Sequence, residues 1–125
     1  MIEFVPIEQA FELFGIPVLP IEILHGTLSV FAYRIGNFIY ATDCSMIPEH
    51  SWNSFLDAEV LVLDCLGFDR HPTHFNLEQA METAHRLNAG HTYFTHMAHR
   101  IEHEAVSKLL PGNMALAYDG LKVTL

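Results

Sequence analysis

The chain is poor in positive charge. Six Lys and Arg stand against 15 Asp and Glu in 125 residues, a formal net charge of −9, and the pI is near 5.3. A protein that grips a phosphate backbone needs a basic footprint, so nucleic acid is not expected as a partner. A small anionic substrate stays open, because metal ions and a few local Arg can bring the positive charge it needs. Cysteine is scarce as well. Cys44 and Cys65 are the only two, with no C-x-x-C spacing, which reads as reduced thiols in a cytoplasmic protein. Cys65, at the end of an apolar run, is expected to be packing, while Cys44 adjoins Asp43. Long apolar runs are absent: Pro17, Pro20 and Glu22 interrupt the stretch around residue 20, so no segment is long enough to span a bilayer. Glu3 and Glu8 stand where a secretory signal would carry basic residues. No repeat, linker or low-complexity tract divides the chain, and its length fits one domain or part of one.

What is present is apolar bulk and histidine. Half of the residues are hydrophobic and the mean hydropathy is +0.22, high for a small domain with a poor surface-to-volume ratio. Either the core is dense or one face is meant to be covered by something outside this chain. Nine His are an enrichment compatible with metal binding.

Strands alternate with helices, which argues an α/β fold. A short strand is expected over residues 2–7, then a connector over 8–14. Residues 16–24 read as a strand near a sheet edge because of their two prolines. Residues 28–35 and 38–42 read as strands joined by a tight turn at Gly36 and Asn37. A short helix follows over 48–56, with Pro48 at its start. Residues 59–65 form a nearly continuous Val/Leu run, the mark of a central strand buried on both faces. Asn76 caps a helix with Gln79 as its capping-box partner. That helix presents Leu77, Ala80, Met81, Ala84 and Leu87 on one face and is expected to run to about Asn88, with Gly90 ending it. Residues 93–95 form a further buried strand. The chain closes with a helix over 102–110 and a hairpin, 115–118 with 121–125, across Asp119 and Gly120.

Four chemistry-bearing residues follow predicted strands: His25, Asp43, His74 and His96, with His99 three residues beyond the last. Ligands of α/β proteins gather outside the carboxyl ends of strands. One carboxylate with two or three imidazoles makes a partial shell for zinc, manganese or iron. His50, His71, His85, His91 and His103 are read as surface or packing residues, and Asp64 and Asp119 as structural, in loop hydrogen bonding and the terminal turn.

The segments Leu24-His25-Gly26, Tyr40-Ala41-Thr42-Asp43, Leu61-Val62-Leu63-Asp64-Cys65, Pro72-Thr73-His74-Phe75-Asn76-Leu77, Phe94-Thr95-His96-Met97-Ala98-His99 and Tyr118-Asp119-Gly120 occur in one order. In that order they resemble the C-terminal part of a metallo-β-lactamase-fold hydrolase, in the branch of phosphoribosyl cyclic phosphodiesterase. The resemblance runs over essentially the whole chain. It implies an α/β fold that is half of an αβ/βα sandwich, one mixed β-sheet with helices on its outer face. It implies two divalent metals, Zn or Mn, and a small phosphodiester attacked by a metal-activated water. His25 and His96 match metal ligands, and Asp43 the carboxylate that bridges both metals. His74 matches a phosphate-contacting general acid, and His99 a substrate-contacting position.

One departure is large. The family's His-x-His-x-Asp-His motif, from the N-terminal half of the fold, occurs nowhere in this sequence. Residues 1–125 are therefore expected to form a partial domain whose site is incomplete and whose turnover alone is little or none. Two readings follow. In the first, the chain carries part of a phosphodiesterase site. In the second, it is an inactive fragment or pseudo-enzyme that acts as an oligomerising or binding module. Either way, a homodimer or pairing with the missing N-terminal half is expected to cover the inner sheet face.

Overall fold

The computed structural model describes residues 9–95 and 105–125. The strand expected over residues 2–7, His96, His99 and the first three residues of the helix expected over 102–110 lie outside the described residues. Of the described part, Ala105–Ser107 are helical, and residues 108–110 are turn and bend, so this helix stops earlier than expected.

One seven-stranded mixed sheet carries the chain, its strands in sequence order: β1 (Phe11–Leu13), β2 (Ile16–His25), β3 (Leu28–Ile35), β4 (Phe38–Ala41), β5 (Val60–Asp64), β6 (His91–Thr95) and β7 (Met114–Leu116). The first three pairings are antiparallel and the last three parallel. Two antiparallel steps separate β2 from β4, so β2 runs in the same sense as β4 to β7. The carboxyl ends of β2, β4, β5 and β6 therefore meet at one edge of the sheet.

Local sequence explains most of this. Ile35 pairs with Phe38 across Gly36 and Asn37, with positive φ at Gly36 (58°) and not at Asn37. That is the type II′ turn, whose twist suits a hairpin. Gly26 does the same between His25 and Leu28. Parallel neighbours need crossovers. A 3-10 helix, Glu49–Phe55, lies in the first, and α1 (Leu77–Arg86) in the second. Asn76 caps α1, and the reciprocal Gln79 bonds of a capping box are both present.

Three expectations need correction. Asn88, not Gly90, ends α1: Asn88 takes positive φ (56°), and the Asn88 and Ala89 N–H groups donate to the His85 and Ala84 carbonyls. This is a Schellman closure. Gly90 serves packing, since a Cβ there would sit 2.8 Å from the Glu59 carbonyl oxygen. Residues 8–14 are not all connector, because Phe11–Leu13 pair with β2. The closing hairpin does not form. Leu121 N–H does bond to the Tyr118 carbonyl, but positive φ falls at Gly120, the second central residue. That is a type II turn, which splays strands, and residues 121–125 join no ladder.

Successive rows across the sheet show its two faces. Ile39, Leu61, Thr92 and Met114 lie in register and are buried, as are Ala41, Leu63, Phe94 and Leu116. These rows share one core with Phe55, Leu77, Ala80, Ala84 and Leu87. The row between them, Tyr40, Val62, Tyr93 and Ala115, points the other way and is exposed or half-buried.

Thr92 places a hydroxyl in that core. It is 1% exposed, and among the described residues its Oγ1 has no hydrogen-bond partner. A buried polar group left unpaired costs about 1–3 kcal/mol. Thr92→Val keeps the β-branched shape and removes the hydroxyl, so the variant is expected to gain roughly 1 kcal/mol in urea unfolding. An unchanged or lower midpoint would show that the hydroxyl is satisfied in solution.

Candidate metal centre

The edge where β2, β4 and β5 end is built from three strand ends and one loop. His25 is the last residue of β2. Its Nδ1–H donates to the Thr73 carbonyl at 2.8 Å, and a carbonyl can only accept. The lone pair of the neutral ring is therefore on Nε2. The loop reaches His25 because Gly26 lets it approach: a Cβ on Gly26 would lie 3.0 Å from Thr73 Cγ2, and its φ is positive.

Asp43 stands two residues beyond β4 with φ 54°. Left-handed backbone is rare for a residue with a Cβ, and Asp and Asn are among the few that visit it. Such strain concentrates at functional sites. His74 sits in the segment between β5 and α1. Backbone bonds hold that segment to the sheet edge, from Leu66 N–H to the Phe75 carbonyl and from Phe75 N–H to the Cys44 carbonyl. Its Nδ1 lies 2.5 Å from Asp64 Oδ2, and Asp64, the last residue of β5, is fully buried. A carboxylate behind an imidazole fixes ring orientation and tautomer, the support found behind metal-binding histidines.

These pieces converge. His25, Asp43 and His74 each offer one ligand atom, and the three atoms lie within 4.8 Å of one another. The His25 and His74 rings meet edge to face, with centroids 4.9 Å apart. Two imidazoles and a carboxylate are a donor set that suits zinc or manganese.

The expected pairing of His25 with Asp43 is thus present, and His74 joins it. His96 and His99 lie outside the described residues. The strand that leads to them ends at Thr95, in register with Asp64. Asp64 is the residue that reading the sequence undervalued. A loop role was expected, yet it backs His74. The available signal was an acidic residue ending a strand that is otherwise all Val and Leu. Cys44, though next to Asp43, is fully buried. Burial pushes its thiol up to about 12. Cys65 is buried packing, as expected.

Comparison with known proteins places this geometry. A profile of the Beta-lactamase superfamily domain matches residues 2–97. The chain belongs to this superfamily. Its fold is of the metallo-β-lactamase type. A crystallised diphosphatase of the PhnP family is 40% identical over 94% of this chain, with a TM-score of 0.90. The metallo-β-lactamase fold protein YhfI from Bacillus subtilis is 21% identical over 96% of the chain, with a TM-score of 0.72, a likeness of fold alone. An octanoyltransferase from Porphyromonas gingivalis (strain ATCC BAA-308 / W83) is 26% identical over 92% of the chain. The chain spans 46% and 54% of the two crystallised relatives and 24% of the octanoyltransferase. Among the described residues, no helix is long and apolar enough to cross a membrane.

Proposed function

We propose that this chain carries part of a dinuclear metal site that hydrolyses a small phosphodiester. The observation that supports it is the convergence of His25, Asp43 and His74, with both imidazoles anchored through Nδ1. His25 and Asp43, with His96, would hold zinc or manganese, and Asp43 would bridge two ions. When bound, such ions make water a nucleophile near neutral pH and neutralise charge developing on the phosphoryl oxygens. The chain's own residues do the rest. Asp64 holds the His74 ring at a fixed angle. His74 Nε2 faces the phosphate and passes a proton to the leaving oxygen. His99 contacts the substrate. The likeness to a diphosphatase favours a phosphoryl substrate over an acyl one. The two buried thiols suit a reducing, cytoplasmic setting.

The site is shared in this reading. Three ligands do not complete a two-metal shell, so the chain alone is expected to turn over little substrate. Its open sheet face pairs with a second copy. The second reading is a pseudo-enzyme that binds without catalysis, favoured by the absence of His-x-His-x-Asp-His from the sequence. The test is incubation of the purified chain with zinc or manganese and bis-p-nitrophenyl phosphate. Metal uptake with little hydrolysis is expected. Robust hydrolysis lost in Asp43→Asn would overturn the partial-site reading, and absence of metal uptake would overturn the metal reading altogether.

A further inference from the structure

A third imidazole among the described residues stands beside this centre, with the tautomer opposite to that of His25. His71, expected to be a non-ligand, has its ring centroid 5.5 Å from that of His74. Its Nδ1 accepts the Thr73 backbone N–H at 3.3 Å and lies 3.0 Å from Thr73 Oγ1. A nitrogen that accepts from a backbone N–H bears no proton, so the proton of the neutral His71 ring is on Nε2. Thr73 therefore sorts two histidines. Its carbonyl takes the Nδ1–H of His25 and leaves a ligand lone pair on that ring's Nε2. Its N–H takes the His71 lone pair and leaves His71 with a donor at Nε2. A metal needs the first kind of nitrogen, and an anionic oxygen needs the second.

We propose that His71 is a substrate-contacting residue, whose Nε2–H donates to a non-bridging oxygen of the phosphoryl group and which binds no metal. The assignment rests on the phosphodiester reading of the centre and deepens it. In a chain of net charge −9 an anionic substrate gains from any fixed donor at the site. This one is set by backbone geometry and costs little reorganisation on binding.

Long-range proton–nitrogen NMR spectra of the metal-free protein, taken at a pH where imidazoles are neutral, read the tautomers directly. His71 is expected as the Nε2–H form and His25 as the Nδ1–H form. Calorimetric titration of the zinc-loaded chain with inorganic phosphate supplies the second readout. His71→Ala is expected to weaken phosphate about tenfold, the loss of one hydrogen bond to a charged group. His71→Gln, whose amide N–H2 can occupy the Nε2 position, should retain most of the affinity. Zinc affinity should change in neither variant. An Nδ1–H tautomer at His71, phosphate binding unchanged in His71→Ala, or loss of zinc rather than phosphate in that variant would each overturn the assignment. Failure of the wild-type chain to take up zinc would instead remove the metal reading. In that case the tautomer and the phosphate titration of metal-free protein still decide the role of His71.

Discussion

Asp43→Asn is expected to weaken zinc binding by at least about a hundredfold while leaving the fold intact. Asp43 is held at φ 54°, a conformation that costs most L-residues roughly 1–2 kcal/mol but that Asn tolerates nearly as well as Asp. Asparagine thus preserves the backbone where alanine would not. It also removes the only charge among the three converging donors, His25, Asp43 and His74, and hard divalent ions bind carboxylate far better than a neutral amide. Asp64→Ala acts one step back. It deletes the acceptor that orients His74, which in the proposed site is the proton donor and not a metal ligand, so zinc affinity should fall far less than in Asp43→Asn. Competition with a chromophoric chelator measures both. The same ranking should appear in thermal unfolding, because saturating zinc at about 100 times its Kd adds roughly 2.7 kcal/mol to a chain that binds it. Wild-type affinity in Asp43→Asn would mean that the ligands lie elsewhere.

How much of this site could be read from the sequence depended on what each residue follows. His25 and Asp43 were legible because each comes directly after an apolar β-rich run, and strand ends point chemistry out of a sheet. His74 was legible as a loop residue after β5, and its role only through resemblance to a family histidine. The 66–75 segment has no period, and the bonds that fold it back, from Phe75 to Cys44 and from His25 to Thr73, join residues 31 and 48 positions apart. No local signal encodes them. The His74–Asp64 pair was missed for a related reason. An acidic residue after Val and Leu looks like a strand terminator until tertiary structure sets an imidazole against it. The His71 tautomer was out of reach, since it depends on one backbone N–H.

The fold was read with similar unevenness. The Gly36–Asn37 turn, the central strand β5 and the capping box of α1 are local patterns, and each is present. Where two residues competed for one role, pattern reading chose wrongly. Asn88 and Gly90 both suit a helix end, but strand packing against Glu59 demands the residue without a Cβ at 90, which leaves the left-handed position to Asn88. The β1–β2 turn was invisible because Phe14, at φ 53°, occupies a place where Asn or Gly would be the signal.

The remaining expected result is association: sedimentation equilibrium at micromolar concentration should give a two-fold homodimer. Strand β5 is apolar on both sides. Leu61 and Leu63 enter the core under α1, while Val62 lies on the opposite face. On that face Tyr40 is 48% exposed, Phe31 36% and Ile35 37%, and Tyr33, Phe38 and Tyr93 are half-buried. Among the described residues, α1 and the 3-10 helix contribute to the other side. A contiguous apolar patch of this extent usually marks an interface. Sheets pack face to face about 10 Å apart, and two copies can offer each other the same surface, as two-fold symmetry requires. Covering about 600 Å² would yield on the order of 15 kcal/mol gross at 25 cal/mol per Å², to be set against a loss of translational and rotational freedom of about 4–15 kcal/mol. Tyr40→Lys sets a charge in the middle of the face without touching the core. It should shift the equilibrium to monomer at the same concentration, and the monomer should be prone to aggregate. A soluble, well-folded wild-type monomer would mean that the face is covered from within this chain.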